Sequence, residues 1–195
     1  ILRLATRVAS LGYAVPGAVL AVGILIPFAA FDNALDAWLR EYLGISSGLL
    51  LSGTVVAVVF AYLVRFLAVA LGQVESSLEK VSPSMDMAAR TLGYRAGATL
   101  MRYHLPLIRG GMLTAIMVVF VDCMKELPAT LLLRPFNFET LATYVYRFAS
   151  DEMLGEAALG SLTIVLVGLL PVLFLSRMIS QSREHLVKRA ETDRR

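Results

Sequence analysis

Four long apolar stretches separated by polar segments set the pattern of this chain. They run from about Leu11 to Ala30, from Ile45 to Gly72, from Leu107 to Leu127 and from Gly155 to Ser176. Crossing the hydrocarbon core of a bilayer takes roughly 20 residues of helix. In lipid the backbone must satisfy its own polar groups, which helices do and open strands do not. The pattern therefore predicts an all-α membrane protein, a polytopic bundle of about four transmembrane helices. Pro16, Pro27 and Pro171 fall near the predicted span ends, where helices tolerate proline best.

The polar segments carry pattern of their own. Leu35, Trp38, Leu39, Tyr42 and Leu43 repeat at i, i+3, i+4, i+7 and i+8, and Gly44 offers a C-terminal stop. Phe138, Leu141, Ala142, Val145, Phe148 and Ala149 follow a similar spacing. Both predict short amphipathic helices at the membrane interface, where Trp and Tyr are favoured. For the second, ordinary packing against the bundle is an equal reading. Gly48-x4-Gly53 and Gly155-x4-Gly160 offer small surfaces for helix contact, a weakly specific spacing.

The segment from Gln73 to Pro106 is too long for a mere connector. Ser82-Pro83-Ser84 stops the preceding helix, and Ser84 is the expected N-cap of a helix starting at Met85. Asp86 in its first turn suits the helix dipole. Ala88, Ala89 and Leu92 form a small apolar face, Gly93 breaks the helix, and a second helix is predicted from Arg95 to His104, stopping before Pro106. A helix–turn–helix results. DNA binding by it is disfavoured, because it is tethered between two membrane spans.

Composition supports the membrane reading: 57% hydrophobic residues, 17% charged residues and a mean hydropathy of +0.71. Soluble domains carry about 25% charged residues. The net charge of +3 lies in segments between spans, not on one soluble face, so no nucleic-acid partner is expected. Thirteen Lys and Arg lie before the first span, in the central loop and after the fourth span, against three (Arg40, Arg134 and Arg147) in the alternate loops. The positive-inside rule then puts both termini and the central loop in the cytoplasm. A transmembrane domain over 1–179, with its loop at 82–106, and a charged cytoplasmic tail over 180–195 are expected. The lone Cys123, with two histidines, provides neither a disulfide framework nor a His/Cys metal cluster, and it reads as a packing residue. No cofactor, catalytic constellation or cleavable signal peptide is evident. The chain opens at Ile1, and it is expected to be part of something longer.

These residues resemble a family. Ala88-Ala89, Gly93 and Leu105-Pro106 match the EAA…G…I-LP coupling loop of binding-protein-dependent ABC importer permeases, with Met87 in place of Glu and Tyr103 in place of Ile. The missing Glu would complete a capping box with Ser84 at N3. Tyr13-Ala14-Val15-Pro16-Gly17 is similar to the Y-x-x-P-G opening of the same permeases. Lys125-Glu126-Leu127-Pro128-Ala129-Thr130-Leu131-Leu132-Leu133-Arg134-Pro135-Phe136, with Thr140-Leu141-Ala142, resembles the ferric-iron branch. Such permeases are often two fused halves, and with one coupling loop visible this chain resembles the C-terminal half.

The resemblance implies a type I importer permease that moves ferric iron by alternating access. Met87, Ala88, Ala89, Gly93, Leu105 and Pro106 would couple it to a cytoplasmic ABC ATPase dimer. The other implied partners are a periplasmic substrate-binding protein, a second permease half and membrane lipid. No GxxxxGK[ST] motif occurs, so the ATPase must be separate. Thiamine, a polyamine or a phosphonate is the alternative cargo, and a non-transporting membrane scaffold the alternative class.

Asp122, Lys125 and Glu126 sit near the predicted outer end of the third span. Asp122 and Lys125 are three apart and can pair, leaving Glu126 as a net acidic group. Two readings stand: a substrate path, since ferric iron favours oxygen ligands, and, foremost, an ion-pair network holding helix ends. A tight metal site would oppose conduction. Arg65, inside the second span, can snorkel or pair with an acid on another helix, and snorkelling is expected.

Overall fold

A computed structural model describes the backbone of residues 2–79 and 81–192, and the side chains of 6–79, 81–174, 176 and 177. Among these residues there are helices and loops and no strand. The chain runs through α1 (Leu2–Ala14), α2 (Gly17–Leu43), α3 (Val55–Leu78), α4 (Pro83–Thr91) and α5 (Ala96–Thr99). A π-helical turn at Leu100–His104 then leads into α6 (Leu105–Met124), α7 (Pro128–Leu133), α8 (Leu141–Ser150) and α9 (Leu154–Thr192). Four stretches are long and apolar enough to cross a membrane: Gly17–Leu43, Val55–Leu78, Ala96–Met124 and Leu154–Phe174.

The spans are those expected, but several boundaries move. The first begins at Gly17, not Leu11, because Pro16 has no N–H to continue α1 and acts as the N-cap of α2. α2 then runs unbroken through Pro27 to Leu43, so the predicted interfacial helix around Trp38 is its last turns and not a separate element. Pro27 and Pro171 lie inside helices. The second span begins at Val55, not Ile45. The intervening loop is held off the helical path by Gly44, Gly48 and Gly53, all at positive φ, so Gly48 and Gly53 are turn residues, not helix-contact residues.

That loop is fastened to α2 by two carboxylates one turn apart. Asp36 Oδ1 accepts from Ser46 Oγ at 2.7 Å and Ser47 N at 2.8 Å. Asp32, 1% exposed, accepts from Ser52 N at 2.7 Å and Ser52 Oγ at 2.6 Å, and from Leu51 N. These bonds satisfy loop N–H groups that lipid could not.

α3 is the central post. It packs against α1, α2, α6 and α7. Ala21 and Ile24 of α2, Ala57, Val58 and Ala61 of α3, and Ala129 and Leu133 of α7 form one buried cluster. Lipid tails are as apolar as leucine, so close packing of small residues, not water exclusion, holds such helices together. Gly12 of α1 lies against the Val64 carbonyl, and Gly111 of α6 against the Ser77 side chain, each with no room for a Cβ.

The helix predicted over Phe138–Ala149 is present as α8, closed by a Thr140–Thr143 capping box. It packs on α9, where a Cβ at Gly160 would lie 2.7 Å from Val145 Cγ2. Gly155 has open space around it, so only one of that glycine pair makes a contact. The outer surface is rich in exposed leucine and valine, among them Leu159 at 70% and Val165 at 62% exposed on α9. Such a surface suits a lipid solvent. The backbone of α9 continues helically through the expected tail to Thr192, whose side chains lie outside the described residues.

Gly111→Leu is expected to lower the melting temperature of the detergent-solubilised protein, through an overpacking cost of about 1–3 kcal/mol. Gly72→Leu, at a position with nothing within 4 Å, should leave it nearly unchanged.

Candidate functional site

The central loop is built of two helical arms in contact with each other. α4 starts at Pro83, with Ser82 as its N-cap residue, two residues before the expected start at Met85. Proline is favoured at this first helical position, which decides the start. Ser84 therefore lies in the first turn, where its hydroxyl meets that of Ser82 at 2.8 Å. N3 becomes Met85, so the residue missing from the family pattern at Met87 was never placed to complete a capping box.

α4 ends as expected at Gly93, whose φ of +81° favours glycine. Gly93 N donates to Arg90 O at 3.0 Å and Tyr94 N to Ala89 O at 3.0 Å, the paired bonds of a Schellman turn. Of the expected apolar face, Ala89 is buried, while Ala88 and Leu92 are exposed.

The second helix of the loop does not stop before Pro106. α5, the π turn and α6 form one helical rod from Ala96 to Met124. The wider turn, in which Leu105 N bonds Leu100 O, absorbs the proline that a regular helix would resist. Leu105 and Pro106 are both exposed at its lower end.

Two contacts tie the arms of the loop. His104 Nε2 lies 2.7 Å from Asp86 Oδ1. Tyr103 sets its ring edge-on to Tyr94, with centroids 5.5 Å apart, and Arg102 stands over the Tyr94 ring. The departure at Tyr103 is thus a packing residue, and His104 is a tie that the pattern of the chain did not reveal.

The charged stretch lies at the end of the third span, as expected, but its pairing differs. Asp122 and Lys125 pair at 2.8 Å, with the lysine side chain 63% exposed. Glu126 is 6% exposed and is not left unpaired: its Oε2 lies 3.1 Å from Arg65 Nε. Arg65 therefore pairs inward with an acid on another element and does not snorkel. Arg65 sits near the middle of α3, so the end of the third span, with Glu126 just beyond it, stands level with the middle of α3. The cause is the long rod from Ala96, whose last turn reaches only halfway along α3.

Cys123 is partly exposed. It lines an apolar groove of about 250 Å³ with Val59, Tyr62, Phe66, Leu67 and Val119. Among the described residues, no three His, Cys, Asp or Glu side chains converge. Asp32 and Asp36 were missed in the sequence. Their signal was an acidic i, i+4 pair in an apolar helix ahead of the Ser/Gly-rich run Ile45–Thr54.

The chain matches the description of binding-protein-dependent transport system inner membrane components over residues 2–190. It is 29% identical over 171 residues to the Fe(3+)-transport system permease protein FbpB 2 of Haemophilus influenzae, covering 88% of this chain and 31% of that protein. It is 25% identical over 162 residues to the 2-aminoethylphosphonate transport system permease protein PhnV of Salmonella typhimurium, covering 83% and 54%. The spermidine/putrescine transport system permease protein PotC homolog of Mycoplasma genitalium is 26% identical over 113 residues, covering 57% and 39%. The chain thus spans between 31% and 54% of the length of these relatives. With the family matched almost end to end on a bundle of apolar helices, the chain belongs to the binding-protein-dependent transport system inner membrane components, the permease class of such importers.

Proposed function

We propose that this chain is a membrane-spanning unit of an ATP-driven importer and that it moves ferric iron inward by alternating access. The observation that carries the importer reading is the central loop. α4 and its C-cap residue present Met85, Met87 and Leu92 at 38%, 62% and 72% exposure. Its ends are fixed by Ser82-Pro83, the Gly93 turn and the Asp86–His104 tie. A slack connector needs no such bracing. An exposed apolar helix of this kind suits docking, and methionine adapts readily to a partner's surface.

The expected partner is a cytoplasmic ABC ATPase dimer, with Met87, Ala88 and Gly93 at the docked surface and the buried Ala89 in support behind them. The rod from Ala96 to Met124, tied to α4 through Asp86 and His104 and carrying Leu105 and Pro106 just beyond that tie, would carry a displacement of the loop toward the middle of α3. The positive-inside count supports a cytoplasmic loop and cytoplasmic ends for this segment. Lys80 and the side chains from Arg183 onward lie outside the described residues. Cargo then arrives from a periplasmic binding protein, and a second permease half completes the path.

Ferric iron is supported by the Fe(3+) relative, which matches 88% of this chain. Phosphonate and polyamine cargoes have relatives of their own and remain the alternatives. Asp122 and Lys125 stand on the proposed path. A carboxylate already paired to a lysine holds a passing cation weakly, as conduction requires. Glu126 borders them, with its carboxylate turned to Arg65.

Met87→Asp puts a charge on an exposed position, so the fold should persist. Co-purification of the ATPase and ATP-driven uptake in vesicles should then fall about tenfold or more, as for a docking residue of hot-spot weight. Gly93→Asp should do the same, and an intact, coupled complex with either change would sink the docking reading.

Vesicles holding the full complex, given loaded binding protein, should accumulate labelled ferric iron. Uptake of 2-aminoethylphosphonate or spermidine without iron would keep the importer and replace its cargo.

A further inference from the structure

Two membrane-depth segments break at the same height. Between α1 and α2 the chain turns at Val15-Pro16, and between α6 and α7 it turns at Lys125–Leu127 before Pro128. Each proline lacks an N–H, so each break leaves backbone groups without helical partners at a depth where water is scarce.

One pair of side chains serves both breaks. Arg65 Nη1 donates to Val15 O at 3.3 Å, at the carbonyl end of α1. Glu126 Oε1 accepts from Ala129 N at 3.3 Å, at the N–H end of α7. Each charge thus meets the helix end of opposite partial charge. The two side chains then meet each other, Arg65 Nε lying 3.1 Å from Glu126 Oε2. Gly17 makes room: a Cβ there would lie 2.7 Å from Glu126 Oε1 and 2.8 Å from Arg65 Nη1.

A second strut lies one turn of α3 away. Thr130 Oγ1 donates to Glu126 O at 2.8 Å, so in its 2.6 Å contact with Tyr62 it accepts and Tyr62 OH donates. Arg65 Nε makes no hydrogen bond, although it faces the carboxylate. The attraction there is Coulombic, and it survives rotation better than an aligned hydrogen bond does.

We propose that Arg65 and Glu126 form a pivoting clasp that locks the α1–α2 break to the α6–α7 break, so that the two move as one body during transport. Resting on the importer reading, this gives the displacement entering at the central loop a destination. It passes up α6 to Glu126, through Arg65 to Val15, and so to the start of α2. Arg65 and Glu126 are positioning residues, and neither needs to touch cargo.

The test uses the full complex in a Cys123→Ser background, with spin labels at the exposed Leu11 of α1 and Leu132 of α7. With the clasp intact, the distance between labels is single and narrow, both without nucleotide and with ATP trapped. Arg65→Gln and Glu126→Gln should broaden it and cut uptake about tenfold, within the usual range for coupling between sites. The ATPase should stay bound and keep its basal hydrolysis. Arg65→Lys, which keeps charge and donors, should recover part of the uptake.

A narrow distance and undiminished uptake in Arg65→Gln would overturn the clasp. Where Arg65→Gln fails to assemble, Arg65→Lys carries the same readouts. Lowered uptake with a broadened distance upholds the clasp, and normal uptake with a broad distance overturns it. Failure of the unaltered complex to take up any cargo would sink the importer reading instead, while the label distances still report on the clasp.

Discussion

Backbone polar groups inside a bilayer have no solvent to fall back on, and the architecture of this chain follows from that shortage. Where its helices run unbroken, the ladder of hydrogen bonds settles the matter. Where they break, side chains take over: Asp32 and Asp36 at the loop before α3, Arg65 at the end of α1, Glu126 at the start of α7. Each is an ionisable group that would be expensive at this depth if left alone. Each has become affordable to the fold because a backbone end needs it.

The same shortage explains why α3 is the post around which the rest is arranged. It brings Arg65 to mid-height, Tyr62 one turn away, and the small residues Ala57 and Ala61 to the face that α2 and α7 approach. Small residues let backbones come close, and close backbones put the charged caps within reach. Glycines do this at Gly12, Gly17 and Gly111, where a Cβ would strike a neighbour. Packing and polar satisfaction are here one requirement.

The central loop lives under the opposite rule. It can be solvated, so its rigidity must come from local devices: proline at the first helical position, a Schellman turn at Gly93, and the tie from Asp86 to His104. The π turn joins the second arm of this loop to α6, so one helical rod leads from the loop to the residues beside Glu126. The exposed α4 and the long rod stand on either side of the Gly93 turn, joined by the Asp86–His104 contact.

The sequence by itself determined the helical class, the number of spans, the loop that carries the family pattern and the break at Gly93. These depend on local composition and on a backbone angle that glycine adopts most readily. It also allowed the Asp122–Lys125 pair, which is three residues of one helix. Only the tertiary structure decided where the spans begin, because Pro16 and the glycines of the Gly44–Gly53 loop could each end a helix or sit within one. Only the tertiary structure gave Glu126 its partner, 61 positions away at Arg65. Hydropathy records how deep a residue lies and not what stands beside it, and a buried charge is defined by its neighbour.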